Sequence, residues 1–208
     1  YSLVTQAEAL SENNVVVIEP SEKKYSTILT KKSLDNLMLE LEESDLISFD
    51  LETTSVIALE ADIVGLSFSM KANEGYYIPV EFPEKDLNYE LSLDTIISTI
   101  KPLLEDKKNR FCGQNLKYDA LVLSRHSIKI ANIYFDTMLA EYILHPEKNS
   151  YKMDYLALDY LKYRMVPIDD LIGTGLHQRS MAEVPLDDIA FYAVEDADIA
   201  FQLASILE

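Results

Sequence analysis

Only one cysteine occurs in the 208 residues, Cys112. No disulfide can close within the chain, and a reducing, cytoplasmic setting is expected. No apolar run approaches the roughly 18 to 20 residues that cross a bilayer, so no membrane partner is expected. The opening text YSLVTQAEALSENN has neither the basic n-region nor the apolar h-region of a signal peptide. It also begins on Tyr1 rather than an initiator Met, as expected of a segment of a longer chain. Basic residues are scarce: 18 Lys and Arg stand against 36 Asp and Glu, a formal net charge of −18. That balance opposes a polyanionic partner, because phosphate binding rests on Lys and Arg. It is reversed locally where carboxylates hold divalent cations, or overall where a separate basic domain supplies the affinity. His126, His145 and His177 are too scattered to read as a zinc set, and no repeat or low-complexity tract appears.

What the chain does have is apolar residue, 48% of the total, enough for one sizeable core and too little length for two full domains. Residues 1–24, which include the β-prone text VVVIEP, read as an arm or linker, and 25–208 as one domain. Ser33 is suited to cap a helix to about Glu42, with Leu34, Leu37, Leu39 and Leu41 as an imperfect apolar stripe. Leu46–Asp50, Ile63–Met70 and Tyr76–Val80 read as three strands of an antiparallel meander, turned at Asn73 to Gly75. The grammar then changes. Helices are expected at Leu93–Leu104, Leu116–His126, Thr137–Leu144, Met153–Tyr163 and Pro185–Leu207, with short strands at Arg110–Gly113 and Ile128–Ile133. The last helix has its proline in the first turn, where proline is tolerated. A meander followed by strand–helix units implies a mixed sheet covered by helices. Ile172 to Met181 reads as a loop.

Acid falls where a sheet-and-helix core should be apolar. Asp50 and Glu52, in FDLET, lie two apart in a strand and point to one face. Two adjoining carboxylates repel unless a cation joins them. Asp119, in GQNLKYDALVL, sits in a first helical turn, where the dipole favours it. Tyr192 and Asp196, in YAVEDADIAFQL, share a helical face at i, i+4, while Glu195 and Asp198 fall on other faces, as on a solvated acidic helix. Each feature alone has an ordinary surface explanation. Together, four carboxylates and a phenol make an oxygen-rich set suited to Mg²⁺ or Mn²⁺ rather than to structural zinc. Two such ions are a known device for in-line phosphoryl chemistry. Cys112 reads as a small buried hydrophobe, and the helix carrying Asp154 and Asp159 as a solvated face.

In order, FDLET, VGLSFS, YYIPV, GQNLKYD, FDTMLAEYIL and YAVEDAD resemble the 3′→5′ exonuclease, or proofreading, domain of bacterial DNA polymerase I. Its superfamily is that of the DEDD exonucleases, and the YxxxD form of the last motif places the likeness in the tyrosine subclass. The resemblance runs from about Leu46 to Leu207 and implies a ribonuclease H-like α/β fold, a five-stranded mixed sheet with helices on both faces. It implies two divalent metal ions, Mg²⁺ or Mn²⁺, held by Asp50, Glu52, Asp119 and Asp196. Asp50, Glu52 and Asp196 would take the first ion, Asp50 bridging to the second near Asp119. Tyr192 would orient the water that attacks the last phosphodiester, releasing a nucleoside 5′-monophosphate. Substrate contacts are implied at Thr53, Val56, Gln114, Asn115, Tyr118 and Met181, with Val56 wedged against the terminal base. The implied partners are a single-stranded or frayed DNA 3′ end and a polymerase domain of the same longer chain, with a monomer as the default.

The text departs from the family in places. NSYKMD carries Ser150 and Tyr151 where a basic residue is common, GTGLHQ offers Thr174 rather than a lysine, and Met181 stands where Phe is common. Base–aromatic stacking is worth about 1–3 kcal/mol per base, so these changes bear on affinity and spare the metal ligands. A ribonuclease D-like RNA trimmer and a non-catalytic scaffold or DNA-end binder remain the alternatives.

Overall fold

The computed structural model describes residues 22–85, 87–175 and 178–208; the VVVIEP text and His177 lie outside them. The first described elements are β1 (Lys24–Thr27), α1 (Lys31–Glu42), β2 (Ile47–Thr53), β3 (Ile63–Lys71) and β4 (Glu74–Pro79). There follow α2 (Leu93–Glu105), β5 (Phe111–Gly113), α3 (Leu116–Arg125), β6 (Ile133–Asp136) and α4 (Thr137–Leu144). Helix α5 (Met153–Leu156) runs on into a π-helical turn at Ala157–Leu161; α6 (Ile168–Ile172), a 3₁₀ turn at Met181–Glu183 and the long α7 (Leu186–Leu207) complete the chain.

Helix α1 begins earlier than its sequence suggests. Thr30, not Ser33, is the N-cap: its hydroxyl accepts from Ser33 N (3.1 Å), and Ser33 Oγ accepts from Thr30 N (3.2 Å). This reciprocal box satisfies two otherwise orphaned amides. The buried stripe becomes Leu34, Leu37, Met38 and Leu41, the i, i+3, i+4, i+7 pattern, with Leu39 turned to solvent.

The sheet has six strands, in the order β1-β4-β3-β2-β5-β6. The expected meander is present: β2 pairs antiparallel with β3, and β3 with β4. Strands β5 and β6 extend it in parallel from β2. The count exceeds the expected five because β1 joins the far edge parallel to β4. Its text, KYST, has no apolar alternation, and its place is fixed by tertiary bonds described below. Strand β6 begins at Ile133 rather than Ile128, because Ile128 and Ile130 turn into the core as connecting chain.

The two faces of the sheet differ in what they bury. Phe49, Leu51, Leu66, Phe68 and Ile78 point to one face and meet the apolar sides of α1, α2 and α3. The other face carries the small or acidic Ser48, Asp50, Glu52, Gly65, Ser67, Ser69 and Gly75, with the buried Tyr77 ring lying over Gly65. Helix α7 covers that face, in contact with all strands from β1 to β5. Its own buried side is rich in alanine: Ala190, Ala193, Ala197, Ala200 and Ala204. Small residues opposite small residues let helix and sheet approach closely. A Cβ on Gly75 would lie 2.5 Å from Val194 Cγ1 and 2.8 Å from the Phe68 carbonyl oxygen. One on Gly65 would lie 2.1 Å from the Tyr77 hydroxyl.

Gly75→Ala should therefore overpack this seam, at a cost of about 1–3 kcal/mol, and lower the melting temperature by roughly 2–10 °C. An unchanged melting curve would show that α7 does not rest on β4 in this way.

Candidate active site

Strand β2 is central, and its period of two sends Phe49 and Leu51 into the core while Asp50 and Glu52 rise on the α7 side. Asp196 descends from α7 onto the same spot. One carboxylate oxygen from each of Asp50, Glu52 and Asp196 lies within 4.8 Å of the others. Asp119 stands beside them on α3, and its position has a backbone reason. Strand β5 pairs with β2 only at Ile47 and Ser48, so the edge of β2 beyond them needs another partner. Asp119 Oδ1 accepts the Leu51 amide at 3.2 Å.

The electrostatics of this group are unfavourable as it stands. Among the described residues no Lys or Arg nitrogen comes within 4.0 Å of any of the four acids. Burial pushes the Asp50 carboxyl up to about 7. Burial, and then the neighbouring charge of Asp50, hold Glu52, Asp119 and Asp196 well above the usual carboxylate range. Tyr192, one helical turn before Asp196, is likewise raised by burial first and by Asp196 second, so it remains a protonated donor. Glu52 Oε1 is buried and has no hydrogen-bond partner. An orphaned carboxylate oxygen inside a cluster of like charges is what a hard divalent cation would satisfy, so the donor set fits the expected metal.

Two adjoining clefts open on the acids. The first, of about 350 Å³, is lined by Asp50, Asp119, Tyr192, Asp196, Gln114 and Lys152 among others. The second, of about 660 Å³, runs past Glu52, Thr53, Val56, Arg179 and Met181. Leu51, Asn115, Tyr118 and Ile168 line both. All the expected substrate contacts therefore line one cleft or the other, but their side chains are not equally free. Val56, on the loop after β2, is 94% exposed. Met181 is 7% exposed and packed into the core around Val194. Asn115 holds a left-handed backbone (φ 59°, ψ 40°) and makes no capping bond, a strained setting that often marks a functional position. Tyr118 bonds Thr53 Oγ1 (2.5 Å) and the Ser55 carbonyl, tying α3 to the loop that presents Val56. Gln114 is held at both ends: its amide nitrogen donates to Tyr151 O (2.8 Å), and its oxygen accepts from Thr137.

Several further residues shape the site in ways that sequence pattern alone does not assign. Asp136 Oδ1 accepts from Asn115 N (3.2 Å) and Met138 N (3.0 Å), and Oδ2 from Leu116 N (2.8 Å). It pins the starts of α3 and α4 together and so aims Asp119. Asp154 is exposed, as expected, yet it faces the first cleft and adds to the charge felt by Asp196. Glu195 and Asp198 overturn the solvated-helix expectation, since both are fully buried. Glu195 pairs with Lys23 Nζ (3.2 Å) and accepts from Val166 N (2.7 Å). Asp198 accepts from Tyr25 OH (2.6 Å), Asn73 N (2.8 Å) and Gln202 Nε2 (2.8 Å). These bonds anchor β1 and the β3–β4 turn to α7. Cys112 is buried with its thiol pushed up to about 12 by burial, as suits a packing residue. His126 and His145 line neither cleft.

A mixed sheet crossed by an acid-bearing helix, with carboxylates gathered where strand and helix meet, is the architecture of ribonuclease H-like nucleases. Escherichia coli RNase D, an exoribonuclease involved in structured RNA processing, shares it at a TM-score of 0.64 and 14% identity, over 88% of this chain and 44% of that one. So does Pol1 of M. smegmatis, solved with a DNA primer-template and dNTP, at a TM-score of 0.65 and 16% identity, over 88% of this chain and 26% of that one. At such identities the likeness is one of fold. The sequence goes further: residues 25–208 match the family model for the 3′–5′ exonuclease, and the chain belongs to that family. DNA polymerase I of Pseudomonas aeruginosa is 35% identical over 99% of the chain, which spans 23% of that relative's length. Among the described residues no helix is long and apolar enough to cross a membrane.

Proposed function

We propose that the chain hydrolyses the terminal phosphodiester of DNA 3′ ends, releasing nucleoside 5′-monophosphates, as the proofreading part of a longer DNA polymerase I. The observation that carries this reading is the convergence of Asp50, Glu52 and Asp196 around an unpartnered buried Glu52 oxygen. Asp50, Glu52 and Asp196, with Asp119 beside them, would hold two divalent ions, Mg²⁺ or Mn²⁺. Such ions supply polarisation of the phosphate, activation of water and stabilisation of the leaving 3′ oxygen.

The rest is done by side chains. Tyr192 keeps its proton and donates to the attacking water, fixing its line of approach. The larger cleft takes the terminal nucleoside, with Val56 against the base and Asn115 and Tyr118 beside the sugar–phosphate. Gln114, committed on both sides, braces Asn115 from behind. The polymerase domain supplies the basic surface this acidic chain lacks.

The direct test is digestion of a 5′-labelled single-stranded DNA with Mn²⁺ or Mg²⁺, beside an EDTA control. A ladder shortening from the 3′ end, absent with EDTA, is expected; well-folded protein that leaves the DNA intact would overturn the reading. Competition between matched RNA and DNA oligonucleotides should favour DNA, and preferred RNA trimming would move the substrate to RNA. Tyr192→Phe is expected to lower kcat by about 10- to 100-fold, the worth of one hydrogen bond to a developing charge. Mn²⁺ binding should be unchanged, and an equal loss of Mn²⁺ affinity would make Tyr192 a support of the metal site instead.

A further inference from the structure

The first cleft does not end at the acids. Met138, on α4, lines it, and Tyr142 lies one helical turn further on the same face. Tyr142 is 54% exposed, and its ring meets the Tyr151 ring edge to face, with centroids 5.4 Å apart. Tyr151 is bound to the cleft independently. Its carbonyl accepts from Gln114, its hydroxyl donates to His145 O (3.1 Å), and its neighbour Lys152 lines the cleft. Lys152 is exposed and forms no ion pair among the described residues. Among the described residues, Lys152 and Arg179 are the two basic residues lining the clefts.

An aromatic face held rigid by a second ring, whose own residue is followed in the chain by a cleft-lining lysine, suits a nucleotide: base on ring, phosphate on cation. We propose that Tyr142, braced by Tyr151, and Lys152 form a ledge that binds a nucleotide upstream of the scissile bond in single-stranded DNA. The ledge rests on the exonuclease reading and answers the problem set by the net charge of −18. Stacking is indifferent to salt and to negative surface potential, so strand length can raise affinity where phosphate contacts are few.

The test compares a dinucleotide, too short to reach the ledge, with a 5′-labelled octanucleotide. Digestion of either by wild type tests the exonuclease reading itself; the difference between them tests the ledge. Tyr142→Ala is expected to raise KM for the octanucleotide about 5- to 10-fold with kcat unchanged, the loss being confined to the longer strand. Tyr142→Phe, which keeps the ring, should restore wild-type KM. Lys152→Met should reduce the salt slope of octanucleotide binding by about one. Binding is also read by fluorescence anisotropy of the labelled octanucleotide in Ca²⁺, which does not depend on turnover. Equal losses on both lengths, no loss in Tyr142→Ala, or wild-type anisotropy no tighter for the octanucleotide than for the dinucleotide would each overturn the ledge.

Discussion

Asp50→Asn is expected to reduce the rate of 3′-end digestion by at least about 10³-fold. Asp50 is the hub of the site: its charge is the largest neighbouring-charge effect on each of Glu52, Asp119 and Asp196. An amide there offers a neutral oxygen to a cation and a competing N–H donor to its neighbours. Polarisation by a bound ion is worth several kcal/mol of transition-state stabilisation, and each 1.36 kcal/mol is a tenfold change in rate. The loss should appear in kcat under single-turnover conditions with saturating DNA. Activity within tenfold of wild type would remove Asp50 from the chemistry.

The same substitution should have the opposite effect on stability. In the metal-free domain the acids bind protons more tightly when folded than when unfolded, so the native state carries more protons and stability falls as pH rises. For Asp50 the stability is full below its unfolded value near 4 and is lost as pH climbs through its folded value of about 7. The metal-free protein should thus melt several degrees lower at pH 8 than at pH 5, and Asp50→Asn should flatten that slope and melt higher than wild type at pH 8. A divalent ion reverses the balance. At a free concentration one hundred times its Kd it adds about 2.7 kcal/mol, or roughly 5–10 °C for a chain of this size. Mn²⁺ should therefore raise the wild-type melting temperature by that amount, and most of the rise should vanish in Asp50→Asn. If both proteins melt alike in EDTA and in Mn²⁺, these carboxylates are not a metal site.

How far the sequence reveals this molecule depends on the range of the interaction. Asp50 with Glu52, and Tyr192 with Asp196, stand out because a period of two and a period of 3.6 operate within a few residues. The same local rules find α2, α4 and α7 nearly to the residue. They miss where the partner is remote. Glu195 and Asp198 look like solvent-facing acids until Lys23, Tyr25 and Asn73 arrive from 125 to 173 residues away. Strand β1 is invisible for the same reason, since its four residues gain their place from Asp198 and from the open edge of β4. Gln114 shows a related limit. A motif can locate a residue at the cleft, but only packing shows that both ends of its amide are already spoken for.

The seam between α7 and the sheet has a further consequence. The spacing that brings Asp196 down to Asp50 is set by Gly75 and a row of alanines, not by any attraction among the acids, which repel. Scaffold and chemistry are thus held by separate sets of residues. A lineage that no longer needs cleavage can shed Asp50, Glu52 or Asp196, relieving repulsion in the metal-free domain, and keep the fold for whatever rests against it, whereas Asp119 also holds the Leu51 amide and is the costlier acid to lose.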